Sequence, residues 1–105
     1  MNCKLVVIAG LATKSSIPLK LPTIIGRSPE ADLTVNHPSV SRLHCEITAK
    51  DGVLVVRDNG SANGTHIEGE RIKGRSILRM GDTLKVGPLT FAAIYKHAGD
   101  YPVLQ

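Results

Sequence analysis

Apolar residues recur along this chain in short runs, often at every second position, and hardly ever at the three-and-four spacing of a helix face. No window of a dozen residues keeps apolar groups at i, i+3, i+4 and i+7 without a Gly or Pro interrupting it. The runs "KLVVIAG", "IPLKLP", "TIIGR", "DLTV", "HCEITAK", "VLVVRD", "THIEG", "SILRM", "DTLKVG" and "LTFAAIY" are rich in Val, Ile, Leu and Thr and read as strands. Between them stand "SPEAD", "NHPS", "KDG", "DNGSANG", "GE", "MGD" and "GP", where Gly, Pro, Asn, Asp and Ser favour turns. Many short strands at close spacing predict an all-β sandwich or small barrel.

Two local patterns sharpen that expectation. Alternating runs flank Lys50-Asp51-Gly52, and Asp-Gly tolerates the positive φ of a tight hairpin, so residues 44–60 predict a β-hairpin. In "VLVVRD", Leu54 and Val56 fall on one face and Val53 and Val55 on the other, which suits a central strand. The C-terminal "KHAGDYPVLQ" has no strand pattern and reads as a tail or linker. We therefore expect one domain over residues 1–96 and a tail over residues 97–105.

Composition narrows the partners. With 105 residues and 42% hydrophobic content, the chain can fill one core without disulfides or metal. No run of 18 apolar residues occurs and no export signal is recognisable, so we expect a soluble, cytoplasmic protein that makes no use of a membrane. Cys3 and Cys45 have no scaffold or metal-ligand spacing and read as buried thiols. A net charge of +4 favours an acidic partner. Nucleic acid fits poorly, because aromatic content is 3%, confined to Phe91, Tyr95 and Tyr101, and the basic residues are scattered.

Three loops could carry chemistry. In "IIGRSPEAD", Arg27 follows Gly26 at the end of a strand; alone it is an ordinary loop arginine. In "HPSVSRLH", Ser41 offers a hydroxyl and Arg42 a planar guanidinium on the connection into the next strand. Alternation then places His44, Glu46 and Thr48 on one face and Cys45, Ile47 and Ala49 on the other. A Ser41/His44 nucleophile and base would also need an orienting acid and an oxyanion hole, and the sequence supplies neither, so no enzyme is expected. His37, His44, Cys45 and Cys3 do not form a metal set. In "DNGSANGT", Asn59-Gly60 and Asn63-Gly64 permit left-handed backbone, and Asn63 carries the donor and acceptor needed to grip an extended main chain. Neither nucleotide-binding glycine motif, G-x-x-x-x-G-K-[ST] or G-x-G-x-x-G, is present, and no cofactor is expected.

Taken together, "GRS", "VSRLH" and "SANGT", in that order and separated by β runs, resemble the forkhead-associated (FHA) domain from about Leu5 to Tyr95. The later "ILRMGDTLKVG" is similar to the family's Leu-x-x-Gly-Asp segment. The resemblance implies a sandwich of about eleven mainly antiparallel strands whose loops at one end bind phosphothreonine peptides. It implies that Arg27 bonds the phosphate, that the Ser41 hydroxyl also contacts it, and that Arg42 adds a basic contact. It implies that Asn63 holds the peptide backbone, while Gly26, His44, Ser61, Gly64 and Thr65 support the loops. A phosphothreonine carries about −1.5 to −2 charge and three acceptor oxygens, which a forked guanidinium and a hydroxyl suit.

Two positions depart from the family pattern. Ala62 stands where many relatives have Thr or Ser, a hydroxyl contact worth about 0.5–1.5 kcal/mol. Glu68 stands where the family usually has Asn. The expected partner is a phosphothreonine-containing protein, a Ser/Thr kinase or its substrate, bound by a monomer. The alternatives are an FHA-like scaffold that ignores phosphate, and a nucleic-acid module using a stripe of Lys4, Lys20, Arg71, Lys73, Arg75 and Arg79.

Overall fold

The computed structural model describes residues 1–12 and 14–96; the tail expected at 97–105 lies outside them. Among the described residues there are strands and turns and no helix. The strands are β1 (Cys3–Ala9), β2 (Ser16–Pro18), β3 (Thr23–Gly26), β4 (Leu33–Thr34), β5 (Cys45–Lys50) and β6 (Val53–Asp58). They continue as β7 (Thr65–Ile67), β8 (Glu70–Arg71), β9 (Arg75–Leu78), β10 (Thr83–Val86) and β11 (Leu89–Tyr95). One sheet runs β2-β1-β11-β10-β7-β8 and the other β4-β3-β5-β6-β9. All pairings are antiparallel except β3 with β4.

The period-two pattern is what makes two sheets close on one core. Leu5, Leu84, Val86, Phe91 and Ala93 face inward from the first sheet, and Ile25, Ile47, Leu54, Val56 and Leu78 from the second, all fully buried. Cys3 and Cys45 are buried free thiols in the same core. The β5–β6 hairpin turns at Asp51 and Gly52, with φ of 51° and 80°, the mirror-image turn that Asp-Gly favours. β6 is flanked on both sides, by β5 and β9, which accounts for half-buried Val53 and Val55 on its outer face.

Three features differ from the sequence expectation. β8 forms within "GER", where Gly69-Glu70 signalled only a turn, because Glu70 and Arg71 pair with Ile67 and His66 across a tight connection. β2 is shorter than "IPLKLP": pairing with β1 stops at Pro18, and Leu19 continues as buried coil. His44 does not share the half-exposed face of Glu46 and Thr48. It precedes the first residue of β5 and turns wholly inward, drawn by two hydrogen bonds that alternation could not anticipate.

The two sheets are also joined by a polar bond. The Tyr95 hydroxyl, on β11, donates to the Leu78 carbonyl on β9 and accepts from the Leu54 amide on β6 at 3.3 Å. It occupies the place between two residues that face each other in the β6–β9 register.

Candidate functional site

Strand pairing brings the start of the β3–β4 connection and the β4–β5 and β6–β7 connections to one end of the sandwich, since Gly26, Cys45, Asp58 and Thr65 all terminate strands there. Those connections contain Arg27, then Ser41 and Arg42, then Asn63. Residues far apart in sequence are thus neighbours, and hydrogen bonds fix the arrangement.

Arg27 begins it. Its amide donates to the Ser41 carbonyl at 2.9 Å, and its Nε donates to the Val40 carbonyl at 3.0 Å. With Nε committed, the guanidinium plane is set, and the terminal amino groups of this exposed residue are not used by that bond. Ser28 adds a further tie, its amide donating to the Arg42 carbonyl at 3.1 Å. Gly26 is needed for this close approach: a Cβ there would be driven into the Arg42 carbonyl.

Val40 anchors the middle of the second loop. It is 1% exposed between Ser39 and Ser41 and packs into the core, so the polar residues on either side are held at the rim. A Cβ on Gly87, at the β10–β11 turn, would lie 2.5 Å from Val40 Cγ2, showing how closely that turn abuts the loop. His37 accepts at Nδ1 from the Ser39 amide at 3.1 Å and lies 2.7 Å from the Ser39 hydroxyl.

His44 joins the second loop to the third. Its Nδ1 accepts from the Ser41 amide at 3.0 Å, which places the ring proton on Nε2, and Nε2 donates to the Gly64 carbonyl at 2.8 Å. Both ring nitrogens are therefore used, and His44 is unavailable as a base toward Ser41 Oγ. The Ser41 hydroxyl oxygen accepts from the Ala62 amide at 3.1 Å, leaving its own proton to donate. Asn63 Nδ2 donates to the Ser39 carbonyl at 2.9 Å; the exposed amide retains a second N–H and its Oδ1.

Asp58 braces the third loop from within. Its carboxylate accepts from the Ser61 amide at 3.0 Å, the Ser61 hydroxyl at 2.5 Å and the Thr65 hydroxyl at 2.7 Å. Ser61 Oγ in turn accepts from the Gly64 amide at 3.1 Å. Burial alone would raise the Asp58 carboxyl, but the bonds from Ser61 and Thr65 hold it below the ordinary value. Gly60 and Gly64 supply the left-handed backbone, with φ of 70° and 86°. At Gly64 the reason is also steric, because a Cβ would lie 2.6 Å from Arg71 Nε.

The sequence-predicted residues are thus distributed as follows. Arg27, Ser41 and Asn63 come together on adjoining loops, with Gly26, His44, Ser61, Gly64 and Thr65 beneath them. Arg42 is exposed and contributes its carbonyl to the frame. Arg57 pairs with Glu46 at 3.5 Å, and among the described residues neither Arg27 nor Arg42 is neutralised by a carboxylate. Glu68 lies elsewhere. At φ 50°, followed by Gly69 at 79°, it occupies the β7–β8 turn at the opposite end of β7, where Asn-Gly is the preferred pair. Its carboxylate accepts from the Thr83 amide and hydroxyl at 3.0 and 2.7 Å. That departure concerns turn chemistry, and it stands roughly 10 Å along the strand from Thr65.

Sequence reasoning passed over Ser39, Val40 and Asp58, and named Arg71 only within a stripe for a polyanion. Val40 had a signal, a lone apolar residue inside "HPSVSR". Ser39 acquires its role from Asn63, 24 residues away, whereas Asp58 and Arg71 brace the third loop from its two flanks.

The FHA domain family model matches residues 23–87, which span all three loops. The chain belongs to the FHA domain family. Its solved relatives include an FHA domain from Chlamydia trachomatis, 28% identical with a TM-score of 0.81, covering 91% of this chain and 99% of that one. Mycobacterium tuberculosis EmbR, solved in complex with a low-affinity phosphopeptide, is 29% identical with a TM-score of 0.81 over 96% of this chain and 26% of that one. In sequence, the chain is 38% identical to the oxoglutarate dehydrogenase inhibitor of Corynebacterium diphtheriae over 62% of this chain and 45% of that protein. It is 36% identical to the glycogen accumulation regulator GarA of Mycolicibacterium smegmatis over 79% and 52%. The FHA chain spans about half the length of these curated relatives.

Proposed function

We propose that this FHA domain is a non-enzymatic reader of phosphothreonine in a partner protein, acting as a cytoplasmic module in Ser/Thr-kinase signalling. The observation that carries the reading is the Arg27–Val40–Ser41 junction. An uncompensated guanidinium is oriented by its Nε bond to the Val40 carbonyl, and the next residue, Ser41, has its hydroxyl proton available, so the two can offer donors to one anion. Asn63, tied to the Ser39 carbonyl, presents the rest of its amide beside that anion site, suited to the main chain of an extended peptide. Arg42 adds positive charge at the rim. The Ser39–Asn63 and Ser41–Ala62 bonds preorganise the loops, which lowers the ordering cost of binding.

Two relatives support the ligand class. One is the EmbR phosphopeptide complex. The other is a structure from a structural and functional analysis of phosphothreonine-dependent FHA domain interactions, 25% identical with a TM-score of 0.79 over 91% of this chain and 98% of that one. The test is fluorescence polarisation with degenerate peptide libraries carrying phosphothreonine, phosphoserine or no phosphate. Selective binding of the phosphothreonine library is expected, with Arg27→Ala costing about 2–5 kcal/mol through loss of the charge partner. Equal binding of the unphosphorylated library, or an indifferent Arg27→Ala, would turn the assignment toward a phosphate-independent scaffold.

A further inference from the structure

The segment linking β8 to β9 contains a cluster of positive charge that the phosphate site does not use. Arg71, Lys73 and Arg75 are exposed and line one groove of about 430 Å³ between the edges of the two sheets. Its position relative to the Asn63 loop is fixed at both roots of that loop. The Ile72 amide donates to the Thr65 carbonyl at 2.9 Å, and the Asp58 amide donates to the Gly74 carbonyl at 2.7 Å. Arg71 also lies across Gly64, its Nη2 3.5 Å from the Ser61 carbonyl.

Charge along the groove is polarised. Of its carboxylates, Glu68 and Asp82 lie toward the opposite end of the sandwich, at the β7–β8 turn and the β9–β10 connection, together with Arg79, and Glu70 opens β8 beside Arg71. Two of them are engaged there, Glu68 with Thr83 and Asp82 with the Arg79 amide at 2.9 Å. The end beside the Asn63 loop has three cations, and among the described residues none of these forms an ion pair.

We propose that Arg71, Lys73 and Arg75 form a second subsite that takes an acidic tract of the same phosphorylated partner. This rests on the phosphothreonine reading above. Neighbouring strands lie about 4.8 Å apart, so a peptide held at Asn63 reaches the shelf within about four extended residues at ~3.3 Å each. Carboxylates on that tract meet cations at high dielectric, so each contact is modest and screened by salt, and three together give a gain of about tenfold.

The test uses the described chain and phosphothreonine libraries carrying a tract of either aspartates or asparagines, placed on either side of the phosphothreonine. The expected result is about tenfold tighter binding of one aspartate library. Lys73→Glu combined with Arg75→Glu should abolish that gain while the asparagine library binds as to wild type, which also shows that the variant folds. Equal binding of aspartate and asparagine libraries overturns the shelf and leaves the phosphothreonine reading intact. Failure of every phosphothreonine library overturns both. Duplex DNA or an aspartate tract without phosphothreonine, bound as tightly as the combined peptide, also overturns the shelf by marking a general polyanion surface.

Discussion

His44 Nε2 donates to the carbonyl of Gly64 at 2.8 Å, a bond that spans 20 residues and ties the Ser41 loop to the Asn63 loop. Because the other ring nitrogen accepts from the Ser41 amide, one buried side chain fixes the spacing of two loops. His44→Ala leaves a buried carbonyl and an amide without their partner and opens a cavity. It should lower stability by about 2–4 kcal/mol in urea unfolding. Phosphopeptide affinity should fall too, although His44 is buried away from any ligand.

Asp58 predicts how the fold responds to acid. Its carboxyl lies below its ordinary value of 3.8, since the bonds from Ser61 and Thr65 outweigh the effect of burial. A depressed carboxyl contributes stability that is complete above the unfolded-state value and is lost as pH falls through the lower folded-state value. Urea midpoints should therefore fall as pH drops below about pH 4. Glu68, held low by its bonds from Thr83, acts in the same direction but is fully exposed and adds little. Asp58→Asn should be less stable at neutral pH by about 1–2 kcal/mol and should show a flatter acid limb.

The Tyr95 hydroxyl stands between the Leu54 amide and the Leu78 carbonyl, so it joins β11 to the opposite sheet. Tyr95→Phe preserves the ring's packing and removes only the oxygen. Two buried backbone groups then lose their partner, and unfolding should become easier by about 1–3 kcal/mol with an unchanged urea m-value.

The thiol of Cys45 should be inert in the folded protein. Burial pushes it up to about 12, more than the Thr65 hydrogen bond lowers it, with the charge of Asp58 adding to the rise. In a Cys3→Ser variant at pH 8, a disulfide-exchange reagent should label Cys45 only at the rate of unfolding, and rapid labelling in native buffer would contradict this burial.

The strands and their facing were legible because alternation is local: Leu5, Ile47, Leu54, Val56 and Phe91 follow from period two, and the Asp51–Gly52 hairpin from the φ that its residues tolerate. The three loops at this end were legible as motifs, and Arg27, Ser41 and Asn63 were named from them. Local pattern could not place His44 inside, move Glu68 to the far turn, or show that Val40 anchors the loop around it. Nor could it pair Asp58 with Thr65, or bring Arg71 across Gly64. Those outcomes depend on which strand ends share a rim of the sandwich, and strand order is settled by how two sheets bury a common core. The sequence by itself determined the periodicity, the turn chemistry and the residue types available to hold an anion. Tertiary structure decided which of them meet, because hydrogen bonds between the Arg27, Ser41 and Asn63 loops exist only once β3, β5, β6 and β7 end side by side.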